Sequence, residues 1–324
     1  MRKIVAAIVI GLSGAAAVSS CSSAGRSEQV FSDEEKAMLA ERETMRPMDP
    51  CGYFDDAAIQ RIGTPDDIKL NNTFYACWVT FTPAHPADPA RIMVDMDGPT
   101  EAYRRQSETQ PLTPHQVGDT TVWTFTRQEG ACTANVPVND RRSIEIDAFA
   151  GAGRADQPQD QCAAALDLAT AIVPHRLERP LRANSPRTQR NSRLAALDPC
   201  KALDTIGKRH DPHQYVNTNP WHCAFRLDSD DESSLQNISL EFTVPLGMWN
   251  ATVTDITISG FRARQYYLPK AASILKRDDC QIVIETPVDG RIGHPEFIDI
   301  TTGDCAIGRA TGEELVRLFD QLPR

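Results

Sequence analysis

The chain has 324 residues, with 34 basic against 44 acidic side chains and a net charge of −10, so general binding to nucleic acid or to an anionic membrane surface is disfavoured. Its length suits two domains, each large enough for a core of its own. Of its nine cysteines, one stands at the end of the leader and eight form two matched sets of four.

Arg2 and Lys3 open the chain, Ile4 to Val18 is uncharged and largely apolar, and Val18-Ser19-Ser20 brings small residues up to Cys21. This is the layout of a signal peptide over 1–20, too short for a spanning helix. A small residue directly before a cysteine matches lipoprotein processing, so Cys21 is the expected lipidated first residue of the mature chain. Two or more acyl chains anchor stably. Loss of the leader leaves 32 basic and 44 acidic residues, a mature net charge of −12. Residues 21–47 read as a polar, lipid-anchored tether. Within it Ser32-Asp33-Glu34-Glu35 forms a capping box for a short helix through Met45.

The remainder divides into domains at 48–176 and 197–324, separated by an Arg-rich linker at 177–196. Cys51, Cys77, Cys132 and Cys162 are spaced by 26, 55 and 30 residues; Cys200, Cys223, Cys280 and Cys305 by 23, 57 and 25. A duplicated unit in an exported chain must close on itself, and the simplest pattern joins first to second and third to fourth. The expected bridges are therefore Cys51–Cys77, Cys132–Cys162, Cys200–Cys223 and Cys280–Cys305. Met48-Asp49-Pro50-Cys51 and Leu197-Asp198-Pro199-Cys200 each open a helix, Cys51 to Ile62 and Cys200 to Lys208, with Asp as cap and Pro in the first turn.

Alternating apolar and aromatic residues then give five strands per unit. In the first they lie around Cys77, at 91–96, 120–127, 132–138 and 143–149. In the second they lie around Cys223, at 237–244, 262–268, 280–286 and 296–301. Each unit ends in a helix, Cys162 to Ile172 in one; in the other Thr311 and Glu314 make a capping box ahead of Leu315, Leu318, Phe319 and Leu322. The expected fold class is α+β: two tandem disulfide-bonded domains, each a helix, an antiparallel sheet of about five strands and a C-terminal helix on the sheet. Arg176 to Arg193, with six arginines, reads as an exposed linker.

The lipoprotein leader, the Asp-Pro-Cys box, the second cysteine beside an aromatic (Cys77-Trp78, Trp221-His222-Cys223) and the late cysteine pair resemble actinobacterial envelope lipoproteins of unknown function that carry an Asp-Pro-Cys domain. More distantly they are similar to the extracellular sensor domains of mycobacterial serine/threonine kinases. The resemblance covers 48–176 and 197–324. It implies a cell-envelope location and a compact disulfide-bonded α+β fold, with no reaction and no catalytic residues to carry over. The tandem copy departs from the usual single domain.

No GxSxG elbow occurs in the mature chain. His210, His213, His222 and Cys223 are the densest set of metal-ligand types, but His222 and Cys223 alternate across a strand and Cys223 has a disulfide partner, so surface histidines outweigh a metal site. Asp228 to Glu232 reads as a solvated hairpin turn and Gly151-Ala152-Gly153 lacks the context of a phosphate loop. Trp78, Trp123 and Trp221 fall on strands and read as core. Trp249, beside Met248 in the segment from Pro245 to Ser259, reads as an exposed partner contact.

The expected function is a non-enzymatic binding or sensing module, lipid-anchored on the extracytoplasmic face of the membrane, without cofactor, for a protein, glycan or lipid partner. The alternative is an envelope hydrolase. A deep polar pocket that gathers His210, His213 or His222 with a serine or carboxylate would favour the enzyme, and shallow grooves the binding module.

Overall fold

The computed structural model describes residues 29–323 apart from 72, 83–88, 101–103, 105–110, 128–129, 151–157, 186, 188–191, 207–209, 228–234, 242–246, 249, 274–276 and 288–294. Asp33–Met45 forms α1, opened by the expected capping box: the Ser32 hydroxyl accepts from Glu35 N and the Glu35 carboxylate accepts from Ser32 N. In unit one the Asp-Pro-Cys box forms a 3-10 turn, Pro50–Tyr53, and the α-helix starts only at Asp56–Ile62 (α2). Seven strands follow: β1 Thr64–Leu70, β2 Ala76–Thr82, β3 Pro89–Pro99, β4 Thr113–Val117, β5 Thr120–Arg127, β6 Ala131–Pro137 and β7 Arg142–Ala150, then helix α3, Pro158–Ile172.

Unit two repeats this order. A 3-10 turn at Pro199–Ala202 runs into α4, Leu203–Ile206. Then come β8 Pro212–Tyr215, β9 His222–Leu227, β10 Gln236–Glu241, β11 Thr252–Ile258, β12 Phe261–Leu268, β13 Asp279–Thr286, β14 Glu296–Thr302 and helix α5, Cys305–Asp320.

Both sheets are antiparallel and identically wired, in the orders β1-β2-β3-β7-β6-β5-β4 and β8-β9-β10-β14-β13-β12-β11. Even the register agrees: Cys132 lies opposite Thr126 and Ala148, and Cys280 opposite Tyr267 and Thr302. The four bridges join Cys51–Cys77, Cys132–Cys162, Cys200–Cys223 and Cys280–Cys305. Each unit thus ties its opening turn to the second strand and its last helix to the sixth. On one face of each sheet the helix covers a dry layer, Ile92, Val94, Val136, Ile144 and Ile146 in unit one and Ile238, Ile282, Ile284, Ile298 and Ile300 in unit two, all fully buried. Gly312 brings α5 down onto this layer, since a Cβ there would meet Ile284 Cδ1 at 2.8 Å.

The sheets hold seven strands where five were expected. The extra ones, β1, β4, β8 and β11, are the sheet edges; β1 and β11 are exposed at most positions and lack an apolar alternation. His213, expected in a loop, therefore sits on edge strand β8. Thr311 is no cap: α5 begins six residues earlier under Asp304, whose carboxylate accepts from Ala306 N at 2.7 Å. Thr311 Oγ1 donates instead to Ile307 O.

Among the described residues, the expected tether and linker both make packed contacts with the units. Near the end of α1, Arg42 is buried and donates to His222 O at 3.1 Å, and Arg46 donates to Leu197 O and Pro220 O at 2.7 Å each, so this helix straps unit two although it precedes unit one in the chain. Glu41 returns the strap to unit one through Arg142, at 2.9 Å. Three arginines of the linker are likewise turned inward. Arg182 donates to Phe74 O, Arg187 to Phe54 O at 2.7 Å, and Arg193 caps the end of α5 through Phe319 O and Leu322 O.

Between the units, Trp221 is 1% exposed and stacks on Phe74 and Tyr75, with ring centroids 5.7 and 6.2 Å away. It lies in the turn before β9, not on a strand. Tyr75 and Trp221 each precede the second cysteine of their unit by two residues, and their carbonyls accept from equivalent amides, Met96 N and Leu240 N. The two copies therefore meet through the same position of the repeat.

Candidate functional site

The face of each sheet turned away from its helix is where the copies diverge. Strand alternation sends Glu145 and Asp147 of β7 outward in unit one, and both are buried there. Arg104 and Arg127 each ion-pair with Glu145, Arg127 Nε stands 3.6 Å from Asp147, and the Thr133 hydroxyl donates to Asp147. The Arg104 guanidinium also lies over the Phe125 ring, 4.5 Å from its centroid. Burial raises both carboxyls above their ordinary range, as mutual repulsion also does for Glu145. Toward the inter-unit contact, Asp97 accepts from Thr218 Oγ1 at 2.5 Å; burial pushes it up to about 6, against the pull of Thr218 and of Arg142 and Arg42. Its neighbour Asp95 is also raised well above the ordinary range, by burial first and then by the Asp97 charge.

Shared register carries these positions over to unit two: Glu145 becomes Asp299, Trp123 becomes Arg264, Phe125 becomes Tyr266 and Asn135 becomes Val283. Here the face opens as a cleft of about 380 Å³, with Arg262, Arg264, Tyr266, Val283, Glu285 and Phe297 among its walls. Its charges are loosely paired and solvated, Arg264 Nε 3.5 Å from Asp255 and Arg262 Nη1 3.9 Å from Glu285. Further along the face Asp299 is buried, with Gln281 Nε2 donating at 2.9 Å; burial pushes it up to about 7. An aromatic wall with mobile-length cations suits a polar or anionic group laid across the sheet.

A second, larger cavity of about 660 Å³ lies on the helix side of unit two, along α5. Ile206, Ile307 and Ala310 contribute apolar surface to it; His210, Ser259 and Glu313 stand among its polar lining.

Cys21 and Trp249 lie outside the described residues, as do 228–232 and 151–153. Met248 is half-buried, and its neighbour Gly247 runs so close to the cleft that a Cβ there would meet Tyr266 Cε1 at 2.4 Å. The stretch that precedes Trp249 therefore borders the open face. It is not one long loop, since β11 takes up 252–258.

Of the three histidines, His210 lines the helix-side cavity, His213 stacks edge-on to Tyr215 on β8, and His222 meets Asn217 Nδ2 at 3.1 Å. Burial and nearby Arg42 hold the His222 imidazole below its usual range. Among the described residues no group of three or more His, Cys, Asp or Glu is arranged to hold a metal ion, and no helix is long and apolar enough to cross a membrane. Trp78 and Trp123 are half-buried on the outer face of sheet one, Trp78 beneath the Arg91 guanidinium at 4.4 Å, so only Trp221 of the three belongs to the core. The Arg262–Arg264–Tyr266 cleft went unread in the sequence; its signal was the alternation Arg262-Ala263-Arg264-Gln265-Tyr266 against Thr121-Val122-Trp123-Thr124-Phe125 of the other copy.

Four disulfides assign the chain to an oxidising, extracytoplasmic compartment. No protein-family model and no curated protein matches it. Among solved structures it is similar to the di-domain ARO/CYC protein StfQ of the steffimycin biosynthetic pathway, over 88% of this chain and 89% of that one, at 12% identity. The TM-score is 0.16, so the likeness carries no weight for fold or function.

Proposed function

We propose that the protein is a non-enzymatic binding module of the cell envelope, anchored to the extracytoplasmic face of the membrane by lipid at Cys21, in which unit two is the binding unit. One observation carries this reading. The same sheet face is filled by the fold's own Arg104 and Arg127 in unit one and forms a cleft, lined by Arg264 and Tyr266, in unit two. A duplicated framework needs only one copy to hold the structure, which frees the other copy's surface for a partner. Met248, whose neighbour Gly247 borders that cleft, and Trp249, next in sequence, are assigned to the same contact. The partner is an envelope protein, glycan or lipid.

A test is chemical cross-linking and affinity capture of the exported, anchored chain, native and carrying Arg264→Glu with Tyr266→Ala. Arg264 is exposed and Tyr266 half-buried on the outer face of β12, so the double variant leaves the helix-side core intact. Its recovery of the partner should fall at least tenfold, the size of about 1.4 kcal/mol. Unchanged recovery would sink the assignment of binding to this face.

A second reading has an observation of its own, since the larger cavity places His210 with Ser259 and Glu313, the combination that favours an envelope hydrolase. Ser259 is exposed in the turn between β11 and β12. Labelling by a serine-directed fluorophosphonate, lost on Ser259→Ala and on His210→Ala, would establish it in place of the first.

A further inference from the structure

A sheet edge carries a row of backbone N–H and C=O groups that would pair with any extended chain, and three of the four edges here are blunted against it. β1 contains Pro65 and the charges Asp66, Asp67 and Lys69, and its register with β2 slips between Pro65 and Asp67. β4 has five residues, Pro114 among them. β8 has four residues beginning at Pro212, and the Gln29 side chain takes both backbone groups of Gln214, donating to its carbonyl and accepting from its N–H at 2.9 Å each. β11 is built otherwise. It runs seven residues, Thr252–Ile258, in unbroken register with β12, with no proline, six β-branched side chains and a single charge at its centre, Asp255. Among the described residues it pairs with β12 alone.

The turn that follows decides which of its groups face outward. Ser259 and Gly260 join β11 to β12, both with positive φ, 48° and 88°, and such a two-residue turn closes on a hydrogen-bonded pair, here Ile258 opposite Phe261. Bonded pairs recur at every second residue, so Thr252, Thr254 and Ile256 bond inward to β12, while Val253, Asp255 and Thr257 turn their backbone groups out. The same three residues are exposed, with side chains on the outer face opposite Tyr266, Arg264 and Arg262 of the cleft.

We infer that β11 is a docking edge for an extended segment of an envelope protein, which adds to sheet two as an eighth strand beside the Arg264–Tyr266 cleft. The inference rests on unit two being the binding unit and names the kind of partner. Outward N–H and C=O groups at ladder spacing are matched along their whole length by another extended backbone, which a lipid or a glycan does not offer. A second copy of this chain fits poorly, because antiparallel pairing of two β11 strands over their full length sets Asp255 directly opposite Asp255. Asp255 has Arg264 Nε at 3.5 Å and is otherwise solvated, so the incoming strand suits it with a basic residue opposite, and suits exposed Val253 with an apolar residue two positions away.

The test places a benzophenone side chain at Val253 of the full anchored chain, with irradiation of the envelope and sequencing of the adducts. The adduct should be a segment of another protein with apolar and basic residues two apart. A synthetic peptide of that segment should lose affinity by about tenfold or more when alternate amides of one parity are N-methylated, and keep it when those of the other parity are. Asp255→Pro removes one outward N–H and none of the bonds to β12, and Val253→Lys with Thr257→Lys charges the edge; each should cut recovery of that protein about tenfold or more. If the proline variant does not fold, the lysine pair decides. An adduct on lipid, on glycan or on a second copy, no adduct, equal sensitivity to both parities, or unchanged recovery by the lysine pair would overturn the docking edge. In those cases a loss of recovery by Arg264→Glu with Tyr266→Ala leaves the binding reading standing, and unchanged recovery there removes both.

Discussion

Asp299 shows how a single residue makes the fold sensitive to pH. Burial pushes its folded pKa up to about 7, and nearby Glu241 adds to this against the Gln281 amide; Asp97 behaves alike, at about 6. An unfolded aspartate titrates near about 4. Between these values the folded state binds more protons than the unfolded, so stability falls as pH rises from about 4 through about 7. Thermal unfolding should give a higher Tm at pH 5 than at pH 8, and Asp299→Asn should narrow the gap by raising the pH 8 value. A gap of the opposite sign, or one that the substitution leaves alone, would contradict the burial of this carboxyl. None of this was legible at single positions. Glu145, Asp147 and Asp299 alternate with Ile and Ala in patterns that read equally well as solvated strand faces, and only the neighbouring strands and Arg104 decide that they are enclosed.

At the scale of elements, what the sequence disclosed and what it hid have different physical origins. Disulfide pairing and the Ser32 cap were legible because each depends on short spacings and a local chemistry. Edge strands were hidden because an edge is held by hydrogen bonds to one neighbour and needs no apolar alternation, as at Thr64–Leu70 and Thr252–Ile258. Helix α1 was underread for a third reason: its grip on unit two runs through Arg42 and Arg46, long polar side chains that reach backbone carbonyls 151 to 180 residues away. That grip is testable. Arg42→Ala strips the buried guanidinium from His222 O and from Asp198, 4.0 Å away, and should cost about 2 kcal/mol in denaturant unfolding, with Ser32→Ala at the solvent end costing about 1 kcal/mol or less. Equal and negligible losses would mean that the helix is the free tether its composition suggested.

Viewed whole, the molecule is a duplication whose copies kept one framework and divided its surfaces. The register of the strands, the four bridges and the Tyr75–Trp221 stack are common property. Arg104 over Phe125 fills the outer sheet face of unit one, and the corresponding face of unit two forms a cleft. The most direct measurement of this division is amide hydrogen exchange of the full chain with and without the protein recovered by cross-linking. Added protection should concentrate on β11 and β12, while β4 and β5 exchange as before. Protection spread equally over both units, or confined to unit one, would contradict the account.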